Sequence, residues 1–263
     1  HSTVHNEPDE STRHVMNHSP TSSLNKLGSL LETSKLARFL EIVAVFGAAA
    51  FVISVGLPFS GDNLFAKQLI VVAANAVMLV MVWLGLRLRR QEPAHLGLSV
   101  HIEGWKVVAW GFAKSLLVLM VAMAGFVFGS IIMMNLTGLP QQADVSGYDF
   151  LRGNLALFLV SLASIYFFSS FGEEVIYRGF LITRLEELFG GSKWALACAV
   201  LVSSLIFGLA HFGWGVAGMV QTTFMGLALA ISFIIFKRNL WILVAAHAYM
   251  DSALIWPLYF GNT

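Results

Sequence analysis

The chain has 263 residues, 57% of them hydrophobic and only 12% charged, with a mean hydropathy of +0.75; a soluble domain carries about 25% charged residues, so this is a polytopic membrane protein. The net charge of +1 argues nothing about nucleic acid, and no basic stripe or stacking motif appears, so no nucleic-acid partner is expected. Cys198 is the only cysteine, which excludes an internal disulfide and a thiolate metal cluster; it lies in an apolar run and is read as packing.

Residues 1–34 are rich in Ser, Thr, Asn, His and Pro, with little apolar periodicity, and are expected to form a disordered cytoplasmic arm. His1, His5, His14 and His18 lie there at irregular spacings and are read as a solvated tail. Seven apolar segments follow, near 39–57, 68–86, 107–136, 154–188, 194–212, 216–236 and 240–259. The expected fold is therefore all-α, a transmembrane helix bundle of about seven spans. Residues 35–153 form its N-terminal membrane helices and 154–263 its functional core. The third and fourth segments exceed a perpendicular span and must tilt, kink or project into water. The fourth ends in Arg184, Glu186, Glu187 and Gly190-Gly191, which suits a helix leaving the membrane and stopping at glycines. The polar stretch 92–106 reads equally as an interfacial amphipathic helix or a connecting loop.

Twelve of the sixteen Lys and Arg residues fall in the arm and the start of the first segment (1–38), 87–106, 184–193 and Lys237-Arg238. That bias places the N-terminus in the cytoplasm and the C-terminus outside.

The stretch Phe171-Gly-Glu-Glu-Val-Ile-Tyr-Arg-Gly-Phe180 puts two adjacent carboxylates and an arginine into an apolar segment. A charge in hydrocarbon costs roughly 2.5–3.5 kcal/mol on insertion scales, so such residues are functional candidates. On a helix, Glu174 and Arg178 are four apart and pair on one face. Glu173 is turned about 100° away and is left free for chemistry. Two later helices carry matching polar groups, Phe207-Gly-Leu-Ala-His211 and His247-Ala-Tyr-Met-Asp251. An antiparallel hairpin about the Gly190–Lys193 turn brings Glu173 and His211 level, each about 24–26 Å from the turn. A carboxylate taken out of water is an effective general base near neutral pH. The histidines suit either metal binding or an oxyanion, and Asp251 either orients His247 or shares that task.

In order, spacing and membrane setting, these three motifs resemble the CAAX-protease and bacteriocin-processing family of intramembrane proteases, also called the Abi family. Its signature is Glu-Glu-x-x-x-Arg, Phe-x-x-x-His and His-x-x-x-Asn or Asp, here Glu173-Glu174 with Arg178, Phe207 with His211, and His247 with Asp251. The resemblance covers roughly 154–260 and implies an endopeptidase that activates water against a peptide bond of a membrane-associated peptide or protein. It resembles the type II CAAX prenyl endopeptidases, whose eukaryotic members typically carry Asn where this chain has Asp251. In that reading Glu173 is the base, His211 binds the water or a metal, and His247 and Asp251 stabilise the transition state or complete a metal shell. Glu174 with Arg178 holds the shape of the site. The resemblance leaves two chemistries open: a divalent ion such as Zn held by His211, His247 and Glu173, or glutamate-activated water without one. It implies a multi-pass protein of the bacterial inner membrane. The alternative from another class is a non-catalytic regulator or immunity protein with the same fold.

Overall fold

The computed structural model describes residues 20–99, 104–138 and 143–260. Among these the chain is helical, with no strand. Part of the arm expected to lack structure is a helix, α1 (Pro20–Thr33). His1, His5, His14 and His18 lie outside the described residues. The helices that follow are α2 (Lys35–Ser60), α3 (Leu64–Leu88), α4 (Trp105–Thr137), α5 (Leu155–Ser164), α6 (Thr183–Phe189), α7 (Lys193–Ala210), α8 (Gly215–Ile235) and α9 (Leu240–Phe260).

The boundaries have local causes. Ser34, Asn63, Asn154 and Ser192 each precede an apolar run, and each side chain accepts a backbone N–H of the first turn it caps. At the other end Gly190 takes a φ of +96° and ends α6 where the sequence places a stop. Pro58 and Pro257 lie in the last turns of α2 and α9, where fewest hydrogen bonds are lost.

Among the described residues six helical segments are long and apolar enough to cross a membrane: Lys35–Ser60, Leu64–Leu88, Trp105–Thr137, Leu155–Phe189, Lys193–Ala210 and Phe212–Ile235. The seventh expected span, α9, is a helix of 21 residues but is not one of these six. His247, Asp251 and Ser252 dilute its apolar character, and they are the groups it contributes to the interior.

Between α5 and α6 the fourth segment departs from the expected plain α-helix. Ile165–Phe171 and Glu174–Ile182 are π-helical. Bonding from i to i+5 adds about one residue to each turn, and such stretches recur at functional sites. The π-helix Glu174–Ile182 is the centre of the bundle: all nine of its residues are buried. Ile176, Phe180, Leu181 and Ile182 pack there with Phe207, Leu229, Phe233, Leu240 and Leu243.

Close helix approach depends on two glycines four apart on α4. A Cβ on Gly125 would lie 2.7 Å from the Phe224 carbonyl oxygen, and one on Gly129 would lie 2.8 Å from the Gln221 Cα. This is the small-xxx-small pattern that lets membrane helices touch backbone to backbone, here α4 against α8.

A second polar cluster fastens the N-terminal helices to α6. Glu41 of α2 takes a bidentate pair from Arg89, 2.5 Å at each oxygen. Arg184 of α6 lies 3.9 Å from the same carboxylate and bonds Glu187 and Gln91. Arg89 and Arg184 are both buried. The 92–106 stretch opens as a short 3-10 turn, Pro93–Leu96, and residues 100–103 lie outside the described residues. It is clamped to the α8–α9 turn by the Leu240 N–H, which donates to the Gly97 carbonyl at 3.0 Å. Cys198 is exposed on α7, so the expectation that it serves packing is corrected: its thiol points outward.

Candidate active site

Glu174 comes from the first turn of the buried π-helix, and one oxygen does two things. Its Oε1 accepts from Arg178 Nη1 at 2.9 Å and from His247 Nδ1 at 2.8 Å. The pair expected from the i, i+4 spacing is therefore present, and it extends to a third helix. Glu174 is not only the arginine's counter-charge; it also fixes the orientation of the His247 ring. Arg178 completes its shell with the Gly226 carbonyl at 3.2 Å and the face of Phe207, its Cζ 4.3 Å from the ring centroid. A desolvated cation over an aromatic face is held by the ring quadrupole.

With Nδ1 committed to Glu174, His247 presents Nε2 to two further carboxylates. Glu173 Oε2 lies 4.0 Å away and Asp251 Oδ1 3.8 Å away. The side chains of Glu173 and Asp251 are each 14% exposed, so both keep limited access to solvent, whereas that of Glu174 keeps none. Glu173 Oε2 has no hydrogen-bond partner among the described residues. Asp251 is steadied by the Ser170 hydroxyl, which donates to Oδ2 at 2.6 Å.

His211 ends α7, where the chain turns through Phe212–Trp214 into α8. Its ring lies between Phe207 and Trp214, with centroids 4.7 and 4.9 Å away. Because the Phe207 carbonyl can only accept, His211 Nδ1 carries the proton in their 2.8 Å bond, which leaves Nε2 uncommitted. Phe207 is the common platform. Its ring touches Arg178, Tyr177, His211 and His247.

The structure thus brings Glu173, Glu174, Arg178, His247 and Asp251 into one cluster, and His211 joins it through Phe207. Three contributors are not legible in the motifs. Ser170 precedes them by three residues. Tyr148, from the turn Ser146–Leu151, lies within range of the charges of Asp251 and Glu173. Gly226 lies where a Cβ would meet the Phe207 ring at 2.7 Å. The doublet Ser169-Ser170 beside two glutamates is the one sequence signal among them.

Among the described residues no three His, Cys, Asp or Glu side chains are grouped so as to hold an ion. His211, His247 and Glu173 are therefore not gathered into a metal shell.

A bundle of membrane-crossing helices with a carboxylate–histidine cluster among them defines an integral, multi-pass membrane protein with a polar centre in its interior. The segment that carries every motif residue of that centre, 155–253, matches the family model described as type II CAAX prenyl endopeptidase Rce1-like. That is the group the three motifs resemble. Comparison with curated proteins and with solved structures gave no match.

Proposed function

We propose that the chain is an intramembrane endopeptidase of CAAX-protease type, hydrolysing a peptide bond of a membrane-associated or lipidated substrate with water activated by Glu173. One observation carries the reading. Glu173 has a buried oxygen without a hydrogen-bond partner, facing a histidine nitrogen whose ring is locked from behind by a second carboxylate. That arrangement is expensive as packing and suited to catalysis, because the partner each group lacks is the one the reaction supplies.

In this mechanism Glu173 takes a proton from water as the water oxygen bonds to the scissile carbonyl carbon. His247, held at Nδ1 by Glu174, carries a proton on Nε2 and donates it as a hydrogen bond to the oxyanion. His211 accepts from the attacking water at Nε2, its tautomer set by the Phe207 carbonyl. Asp251, bonded by Ser170, fixes the far side of His247 Nε2. The C–N bond then breaks and Glu173 returns its proton to the leaving amine. The Lys and Arg bias supports a cytoplasmic N-terminus.

The test is cleavage of membrane-anchored peptides by wild type and Glu173→Gln in nanodiscs. Cleavage abolished by the isosteric amide, in a protein that still folds, is the expected result. Equal behaviour of the two proteins in cleavage and in cell-based assays would instead assign a non-catalytic, scaffolding role.

A further inference from the structure

Helix α1 meets the bundle where the span α2 begins and the span α3 ends. A single residue, Ser34, joins it to α2 and caps that helix with its hydroxyl. The last carbonyls of α1 are held by arginines. Arg89 Nη2 donates to the Leu31 carbonyl at 3.3 Å, and the Arg38 guanidinium donates to that of Glu32. Cations are favoured at this end of a helix by its dipole. Arg89 caps α3 and is itself buried against Glu41, so α1 is fastened to a fixed point. Gly28 and Leu31 are buried, and a Cβ on Gly28 would strike the Leu88 carbonyl oxygen. The helix therefore lies directly on the end of α3.

The rest of its surface divides in two. Successive residues turn by about 100°, so Leu24, Leu27 and Leu30 fall within about 120° of arc. Lys26, Ser29 and Thr33 fall within about 60° on the other side. All six are exposed, the three leucines by 54%, 44% and 52%. The next exposed large apolar side chains along the chain are Leu36, Phe39, Leu40 and Val43, which belong to the span α2. The outward apolar surface of α1 thus continues, across one capping residue, into that of a helix that crosses the membrane. With 14 residues α1 is about 21 Å long, short of the hydrocarbon thickness of about 30 Å, so it does not cross.

We propose that α1 is an interfacial helix whose occupant is the lipid surface. Leu24, Leu27 and Leu30 enter the headgroup–acyl boundary, and Lys26, Ser29 and Thr33 face water. Its continuity with the outer surface of α2 chooses lipid over a second protein, because the same bilayer that wraps α2 reaches α1 through Ser34. An apolar stripe opposed to a polar one, on a helix of low overall hydrophobicity, is the pattern of helices that lie in the interface plane. The clamp by Arg89 and Arg38 sets the rotation of α1, so the leucines meet the bilayer without a rearrangement of the bundle. This surface is independent of the endopeptidase reading.

The experiment uses the full chain in liposomes of phosphatidylcholine with phosphatidylglycerol. The exposed Cys198 is replaced by Ala. Spin labels are placed one at a time at positions 24, 27, 30, 26, 29 and 33. Power saturation then compares oxygen, which concentrates in lipid, with a nickel chelate, which stays in water. Labels at 24, 27 and 30 should lie about 5–10 Å into the headgroup–acyl boundary. Those at 26, 29 and 33 should be open to the chelate. Equal access of the chelate to all six positions overturns the proposal, since α1 then stands in water. Leucine positions closed to both reagents, with dipolar coupling that vanishes on dilution with unlabelled protein, also overturn it and assign the face to a second copy of the chain.

Discussion

Replacing Glu174 by Gln separates the two adjacent carboxylates: each has a buried Oε2 without a hydrogen-bond partner, but only Glu174 bonds Arg178 and His247. The Glu174 side chain is fully buried, and its Oε1 serves both Arg178 and His247. The amide keeps the volume and one acceptor oxygen but removes the charge. Arg178, 1% exposed, then loses its counter-charge and is left with neutral partners, the Gly226 carbonyl and the Phe207 face among them. Removing one partner of a buried ion pair costs about 3–5 kcal/mol. Because two neutral partners of the arginine survive, the lower end, about 3 kcal/mol, is expected. At about 2–4 °C per kcal/mol for a chain of this size, the melting temperature should fall by roughly 6–12 °C. Glu173→Gln neutralises a carboxylate that has a buried oxygen without a partner, so its melting temperature should hold or rise. Its cleavage rate should fall by roughly 10²–10⁴, the share of a positioned general base. Both variants are melted in nanodiscs by tryptophan fluorescence and assayed well below either midpoint. A Glu174→Gln protein melting with wild type would refute the charge-pair reasoning. Equal destabilisation of both variants, with no separate catalytic defect at Glu173, would refute the division of roles.

Ser170→Ala removes the 2.6 Å bond to Asp251; hydrogen bonds to charged groups are worth about 1.5–3 kcal/mol, so a kcat lowered roughly tenfold or more at constant KM is expected in steady-state cleavage. Gly129→Leu forces α4 away from α8, because a Cβ there already meets Gln221 Cα at 2.8 Å. Its melting temperature should drop, by an overpacking cost of about 1–3 kcal/mol or more, whereas Gly111→Leu on the same helix, where a Cβ meets nothing within 4 Å, should melt as wild type. Glu41→Gln leaves Arg89 without its bidentate partner and should cost about 3–5 kcal/mol in thermal unfolding. The fraction that remains folded should cleave at the wild-type rate per molecule, since this cluster lies apart from the reaction centre.

Much of the site was readable before any coordinates. Glu174 and Arg178 are four apart, and helical periodicity alone makes them neighbours. The depth argument from the Gly190–Lys193 turn set Glu173 level with His211, which joins the cluster through Phe207, while His247 comes to 4.0 Å from Glu173 out of a third helix. What escaped was the second duty of Glu174. Its spacing to Arg178 accounts for one partner so well that a third helix did not enter the reasoning. The π-helical turns escaped as well, since i to i+5 bonding leaves no mark in the apolar pattern that identifies a span. The arm residues Pro20–Thr33 were read as unstructured on composition, yet they form a helix that contacts the bundle: the Leu31 carbonyl accepts from buried Arg89.

The sequence by itself determined that this is a bundle of membrane helices, where most of them begin and end, and which few polar residues are too costly to be incidental. Those facts are local. They follow from hydrocarbon thickness, from capping groups next to the residues they cap, and from the charge penalty paid where a residue stands. The tertiary structure alone decided the pairings. His247 bonds Glu174 across 73 residues, Ser170 reaches Asp251 across 81, and Arg89 grips Glu41 across 48. No periodicity links positions so far apart. Such contacts are set by which helix faces meet and how closely, and that is fixed by small residues such as Gly125, Gly129 and Gly226, which admit a neighbouring backbone or ring where any side chain would hold it off.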